Sequence, residues 1–200
     1  MHMAAKFRHQ LLGAFLTILV LQPFVSGKGS YGSRDDIGRP NSDDTLTSVG
    51  WNNLPLTYGF VTTSSLPEGL DLDVVTSIVD VAFRKWQVAV PSFGFVRIYP
   101  GENANIKIDF SALDSIYYGY GYPPPDGRLY LDNSHVPWST KSYPASNELD
   151  LLSAVLHVIG STLGLENSDD PTAVMYPSLN YGIIKRDLSL DDITRIQALY

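Results

Sequence analysis

An α/β (α+β) domain is the fold this sequence predicts, and three observations predict it. One long amphipathic helical pattern lies between short alternating apolar runs, those runs are bounded by proline, glycine and asparagine, and two more helical patterns follow later in the chain. Strand, helix, strand in that order implies a parallel pair joined by a right-handed crossover. The 200 residues are 44% hydrophobic, which suits one domain with a real core and is too short for two.

Residues 1–27 carry Lys6 and Arg8, then the apolar run Leu11 to Leu21, then the small residues Val25-Ser26-Gly27. This is the pattern of a secretory signal peptide, so a secreted, extracellular product is expected. At about 1.5 Å per residue the apolar run would span roughly 17 Å as a helix, short of a bilayer core of about 30 Å, so no membrane anchor is expected. Residues 28–50 are rich in Gly, Ser and Asp without apolar periodicity and read as a flexible segment; residues 51–200 form the domain. The chain has no cysteine, which removes both a disulfide framework and a thiol nucleophile, and its net charge of −7 argues against a nucleic-acid partner.

Trp51 to Thr63 alternates Leu56, Tyr58 and Phe60 against smaller residues and predicts a strand. From Asp71 to Val90 the set Val75, Ile78, Val79, Ala82 and Trp86 recurs at helical spacing, with Asp71 or Asp73 as the N-cap and Pro91 beyond the far end. Phe93 to Tyr99 and Asn105 to Phe110 predict two more strands, and Arg128 to Asp132 another after the rigid corner Pro123-Pro124-Pro125. Asn147 to Leu165 predicts a second helix capped at Asn147, carrying His157. Ser189 and Asp192 form a capping-box pattern for a last helix with Leu190, Ile193, Ile196 and Leu199 inward.

The stretch 156–177, LHVIGSTLGLENSDDPTAVMYP, resembles the active-site segment of the matrixins, the matrix metalloproteinase branch of the metzincin zinc endopeptidases. That family reads HExxHxxGxxH followed by a Met-turn. Here the frame holds His157, Val158, Ser161, Gly164, Asn167 and Met175. AVMYPS at 173–178 is similar to the Met-turn, LSLDDITRIQALY at 188–200 to the closing helix, and YGYGYPPPDGRLYLD at 118–132 to the substrate-edge strand and the strand after it. The resemblance runs from Trp51 to the last residue and looks like the plant-like small form without a C-terminal domain. It implies a zincin-like twisted sheet, mixed but mostly parallel, with one antiparallel edge strand, three helices and the Met-turn. Ile37-Gly38-Arg39-Pro40-Asn41 resembles the cysteine-switch core CGxPD with isoleucine at the thiolate position.

A zinc site of this family needs three neutral imidazoles and an open position for water. The resemblance places Ser161 and Asn167 at the second and third catalytic ligand positions, so His157 is the one retained ligand, with Asp169 a nearby carboxylate. Val158 stands at the position of the general base, and Tyr120 and Tyr130 at two structural-zinc positions. The calcium-type acid pair keeps Asp132 and has His135 in place of the second acid, and the ion-binding loop between Phe110 and Tyr117 is shortened. No cofactor is therefore expected, and zinc only if the chain is an enzyme with an atypical site. His157 itself reads either as a packed helix histidine or as a metal ligand. Loss of a general base typically costs about 10²- to 10⁴-fold in rate. Asp109, Asp114 and Asp132 read as solvated acids rather than a carboxylate pair for sugar chemistry.

Binding of an extended peptide is the remaining expectation. Tyr118, Tyr120 and Tyr122 alternate with Gly119 and Gly121 on what the resemblance makes an exposed strand edge, and Pro177, Asn180 and Tyr181 would wall a side-chain pocket. The alternative is that the tyrosines cover the core edge. The expected product is a monomeric pseudoprotease, with a residual metalloendopeptidase and a non-functional remnant as alternatives.

Overall fold

The structure is a computed structural model that describes residues 17–20, 50–114 and 117–200. The flexible segment up to residue 49, the Ile37 latch and all of the signal peptide except its residues 17–20 lie outside the described residues.

The main sheet has the strand order β1-β5-β6-β4-β2-β3, built from β1 (Thr17–Val20), β2 (Leu56–Phe60), β3 (Phe95–Arg97), β4 (Ile106–Ser111), β5 (Tyr117–Gly121) and β6 (Arg128–Asp132). β2 pairs in parallel with β3 and β4, and β4 in parallel with β6. β5 runs antiparallel to β6, and β1 antiparallel to β5. The chain thus builds a mostly parallel sheet with an antiparallel edge, as expected.

Helix α1 (Leu72–Ala89) makes the crossover between β2 and β3 and is started by Asp71, whose side chain accepts from the N–H groups of Asp73 and Val74. Its inner face buries Val75, Val79, Ala82, Phe83 and Trp86. The ring of Phe83 stacks on Tyr58 of β2 at 3.9 Å between centroids, which joins helix to sheet. Trp86, wholly buried, donates its indole N–H to the Leu156 carbonyl of α2 (Leu151–Thr162) at 3.0 Å and so ties the two helices together.

Two details differ from the sequence expectation. The cap of α2 is Asp150 rather than Asn147, because residues before it are drawn into a short ladder: β7 (Trp138–Ser139) pairs with β8 (Leu149–Asp150). Asp150 is buried, accepts from Ser153 and is paired with Arg186. In α3 (Leu190–Leu199), Ile196 is buried but Leu190 is 79% exposed, because at the first helical position it projects past the core that its neighbour Asp192 enters. The capping box of Ser189 and Asp192 forms as expected.

Candidate functional site

Helix α2 runs through the middle of the molecule with every residue from Ser153 to Thr162 buried, and breaks at Gly164 with φ of 99°. Leu165 N–H donates to the Gly160 carbonyl and Gly164 N–H to the Ser161 carbonyl, both at 3.0 Å, which is the Schellman closure that only a glycine accommodates easily. The next two free carbonyls are also satisfied: Thr162 by the Trp51 indole and Leu163 by the Tyr200 hydroxyl, each at 2.8 Å. Below the helix, Met175 is wholly buried, and a Cβ on Gly160 would lie 2.4 Å from its sulfur. Gly160 is therefore the contact point between α2 and the turn that carries Met175.

His157 is 2% exposed and donates from Nδ1 to the Val174 carbonyl at 2.8 Å, which fixes Nδ1 as the protonated nitrogen. Its Nε2 is buried with no hydrogen-bond partner among the described residues. Burial pushes the imidazole pKa down to about 4 against the opposing pull of the Val174 carbonyl and Asp192, so the ring is neutral near pH 7. The two other ligand positions do not join it. Ser161 is buried and donates its hydroxyl to the His157 carbonyl of the preceding turn at 3.3 Å, whereas Asn167 and Asp169 are exposed. One neutral imidazole, a hydroxyl that already serves the helix and an exposed amide do not fit a zinc tripod. Among the described residues no group of three or more His, Cys, Asp or Glu side chains gathers where a metal could be held.

Val158 has 0% exposure and faces β5. A Cβ on Gly119 would sit 3.1 Å from its methyl, and one on Gly121 2.7 Å from its carbonyl oxygen, so the two glycines let the helix lie directly on β5. This arrangement corrects one expectation: Tyr118 is not part of an exposed edge. The register of β1 on β5 skips Tyr118, with Leu19 opposite Gly119 and Val20 opposite Tyr117. Such a bulge turns the extra side chain inward, and Tyr118 is wholly buried, edge-on to Trp138. Burial raises its hydroxyl pKa well above the ordinary phenol value. Tyr120 and Tyr122 remain half-buried on the other face with Tyr130. Pro177 and Tyr181 are half-buried and Asn180 is exposed, and Tyr181 packs against the core.

Two carboxylates emerge as organising groups whose partners are not adjacent in sequence. Asp132 is wholly buried and accepts from the N–H groups of Leu113, Ser134, His135 and Val136 and from the Ser134 hydroxyl. Burial pushes its carboxyl up, but these donors outweigh it and hold the pKa below the ordinary value. His135, which the resemblance puts in place of the second acid of the calcium-type pair, lies with Nδ1 3.0 Å from the same carboxylate. Asp192, also buried, accepts from Val174 N–H at 2.8 Å, Met175 N–H at 3.0 Å and Ser189 N–H at 2.8 Å. On the other side of that turn, the Lys185 ammonium donates to the Pro171 and Ala173 carbonyls and stands over the Tyr176 ring. His157, Asp192 and Lys185 thus clamp residues 171–176 from three directions. His157 is marked in the sequence by the family frame and Asp192 only as a helix cap, whereas Lys185 carries no sequence signal.

The matrixin family profile matches residues 50–200. The chain is 33% identical over 165 residues to "Metalloendoproteinase 1-MMP" of Arabidopsis thaliana, covering 75% of this chain and 44% of that protein. It is 35% identical over 160 residues to "Metalloendoproteinase 1" of Glycine max, covering 72% and 50%, and 32% identical over 162 residues to "Matrix metalloproteinase-20" of Homo sapiens, covering 75% and 32%. The chain therefore spans half or less of the length of these relatives. With the family profile covering residues 50–200 and these identities over about three-quarters of its length, the chain belongs to the matrixin family.

Proposed function

We propose that this chain is a matrixin-fold pseudoprotease, secreted and monomeric, that holds extended peptides along the outer edge of β5 without cleaving them. The observation that carries the reading is Val158. At the position where the resemblance puts the general base stands a fully buried valine, pressed onto β5 and beside a single imidazole. Peptide hydrolysis by the family route needs a group to take the proton from the attacking water and a metal to lower that water's pKa. Val158 offers no proton acceptor, and Ser161 and Asn167 offer no normal zinc donor. The degenerate zinc site is also the reason no cofactor is proposed.

Peptide binding at this edge is supported by the pairing of β1. An extended segment lies antiparallel on β5 with Thr17 opposite Gly121 and Ile18 opposite Tyr120. Main-chain pairing of this type requires no metal and is open to many sequences. The net charge of −7 leaves nucleic acid out of the proposal. Among the described residues no helix is long and apolar enough to cross a membrane.

One observation favours a second reading, an atypical zinc endopeptidase: Nε2 of His157 is a buried lone pair with no hydrogen-bond partner among the described residues. Zinc content and turnover of a generic matrixin peptide by the purified chain separate the two. Substoichiometric zinc and no turnover are expected, with selective retention of some members of an array of extended peptides. Stoichiometric zinc with chelator-sensitive cleavage, abolished by His157→Ala, would establish the enzyme instead. Absence of any selective binding would leave a non-functional remnant.

A further inference from the structure

Tyr120, Tyr122 and Tyr130 form a group on the outer face of β5 and β6, away from α2. Tyr120 and Tyr130 are directly opposite each other in the antiparallel register, so their side chains leave the sheet side by side on the same face. Their ring centroids are 5.3 Å apart with 50° between the planes. Tyr122 meets both rings edge-on, at 81° to Tyr120 and 80° to Tyr130, and the Arg128 guanidinium covers its face at 4.3 Å. All three are half-buried, open enough for a small oxidant and held enough to keep the rings together. A paired, tilted arrangement in which neither face is capped by a cation distinguishes Tyr120 and Tyr130 from Tyr122.

We infer that Tyr120 and Tyr130 are an oxidative cross-linking site, at which the two phenols couple into a bityrosine that fastens β5 to β6. The oxidant required is hydrogen peroxide used by a one-electron haem peroxidase. Each phenol gives up one electron and its hydroxyl proton, and the two phenoxyl radicals join through the ring carbons next to their oxygens. The two hydrogens on those carbons then move to the oxygens as the rings regain aromaticity. The chain loses two hydrogens in all, and the peroxide takes two electrons and two protons to become two waters. In a chain without cysteine, such a bond supplies a covalent tie between strands.

The test is treatment of the purified full chain with a haem peroxidase and limiting peroxide, followed by separation of monomer from cross-linked dimer and peptide mapping. The expected result is bityrosine fluorescence in the monomer, an intact mass lower by two hydrogens, and a peptide containing Tyr120 joined to one containing Tyr130. Tyr130→Phe, which keeps the ring and hence the packing, should abolish the intramolecular link, whereas Tyr122→Phe should retain it. Tyr99 and Tyr143 are 89% and 82% exposed and provide the competing route. Cross-links found between chains through those residues, or a monomer that survives treatment without an internal link, overturn the inference. So does an internal link that persists in Tyr130→Phe.

Discussion

Replacing Gly160 with alanine opposes two effects whose sizes the structure separates. In a helix interior alanine is favoured over glycine by about 1 kcal/mol. Against this, the added Cβ would come within 2.4 Å of the Met175 sulfur and 2.8 Å of a Trp86 ring carbon. Both are about 1 Å or more short of the roughly 3.5–4.0 Å at which non-bonded heavy atoms attract. The sulfur could swing aside, but the indole cannot follow, because it is wholly buried and bonded to the Leu156 carbonyl at 3.0 Å. Overpacking of a closed core costs about 1–3 kcal/mol. Gly160→Ala should therefore destabilise by up to about 2 kcal/mol net, read from urea unfolding followed by tryptophan fluorescence. Met175→Ala alone should cost about 2–5 kcal/mol as a cavity substitution. In the Gly160→Ala background it should cost about 1 kcal/mol less, since the cavity receives the new methyl. A Gly160→Ala chain that is more stable than the parent, or costs that simply add, would refute the close contact between α2 and the methionine turn.

Stability should also fall with acid through His157. Its folded pKa of about 4 lies below the ordinary imidazole value of about 6.5, so the unfolded chain binds the proton more readily. The contribution is fully present above about pH 6.5 and is lost as pH falls toward 4; for so buried a ring the total is on the order of 3 kcal/mol. His157→Gln should flatten the pH dependence of the unfolding midpoint over that window; an unchanged slope would remove His157 as its source. Asp192→Ala should cost about 3–5 kcal/mol, because three N–H donors lose a buried carboxylate at once. Asp191→Ala, which loses half-exposed contacts to Ser168 and Arg195, should stay within about 1 kcal/mol, and equal losses for the two would contradict the clamp.

Local patterns in the sequence carried the secondary structure well. Asp71 and the spacing of Val75, Val79 and Trp86 define α1, and Ser189 with Asp192 starts α3, because caps and apolar stripes are short-range physics. The cap of α2 was misjudged at Asn147 since the deciding event is the pairing of Leu149 with Trp138, a contact between segments that no local pattern reveals. Tyr118 was misjudged for a related reason. Strict alternation puts it beside Tyr120, and one bulge in the register reverses its face. At the candidate site, the identities of His157, Val158 and Ser161 were legible from the family frame. The clamp of Asp192 and Lys185 on residues 171–176 was not, because both act through backbone groups, which leave no letters in the sequence.

The carboxylate of Asp192 has a consequence for how the molecule opens. The amides of Val174 and Met175 lie under α2, yet the two carboxylate oxygens that hold them belong to the first turn of the last helix. Those amide protons cannot reach solvent while α3 stays docked, whatever α2 itself does. In hydrogen exchange they should therefore open with the C-terminal helix, as one cooperative unit drawn from two distant stretches of chain. The floor of the active-site-like helix is in this sense hinged at the far end of the protein.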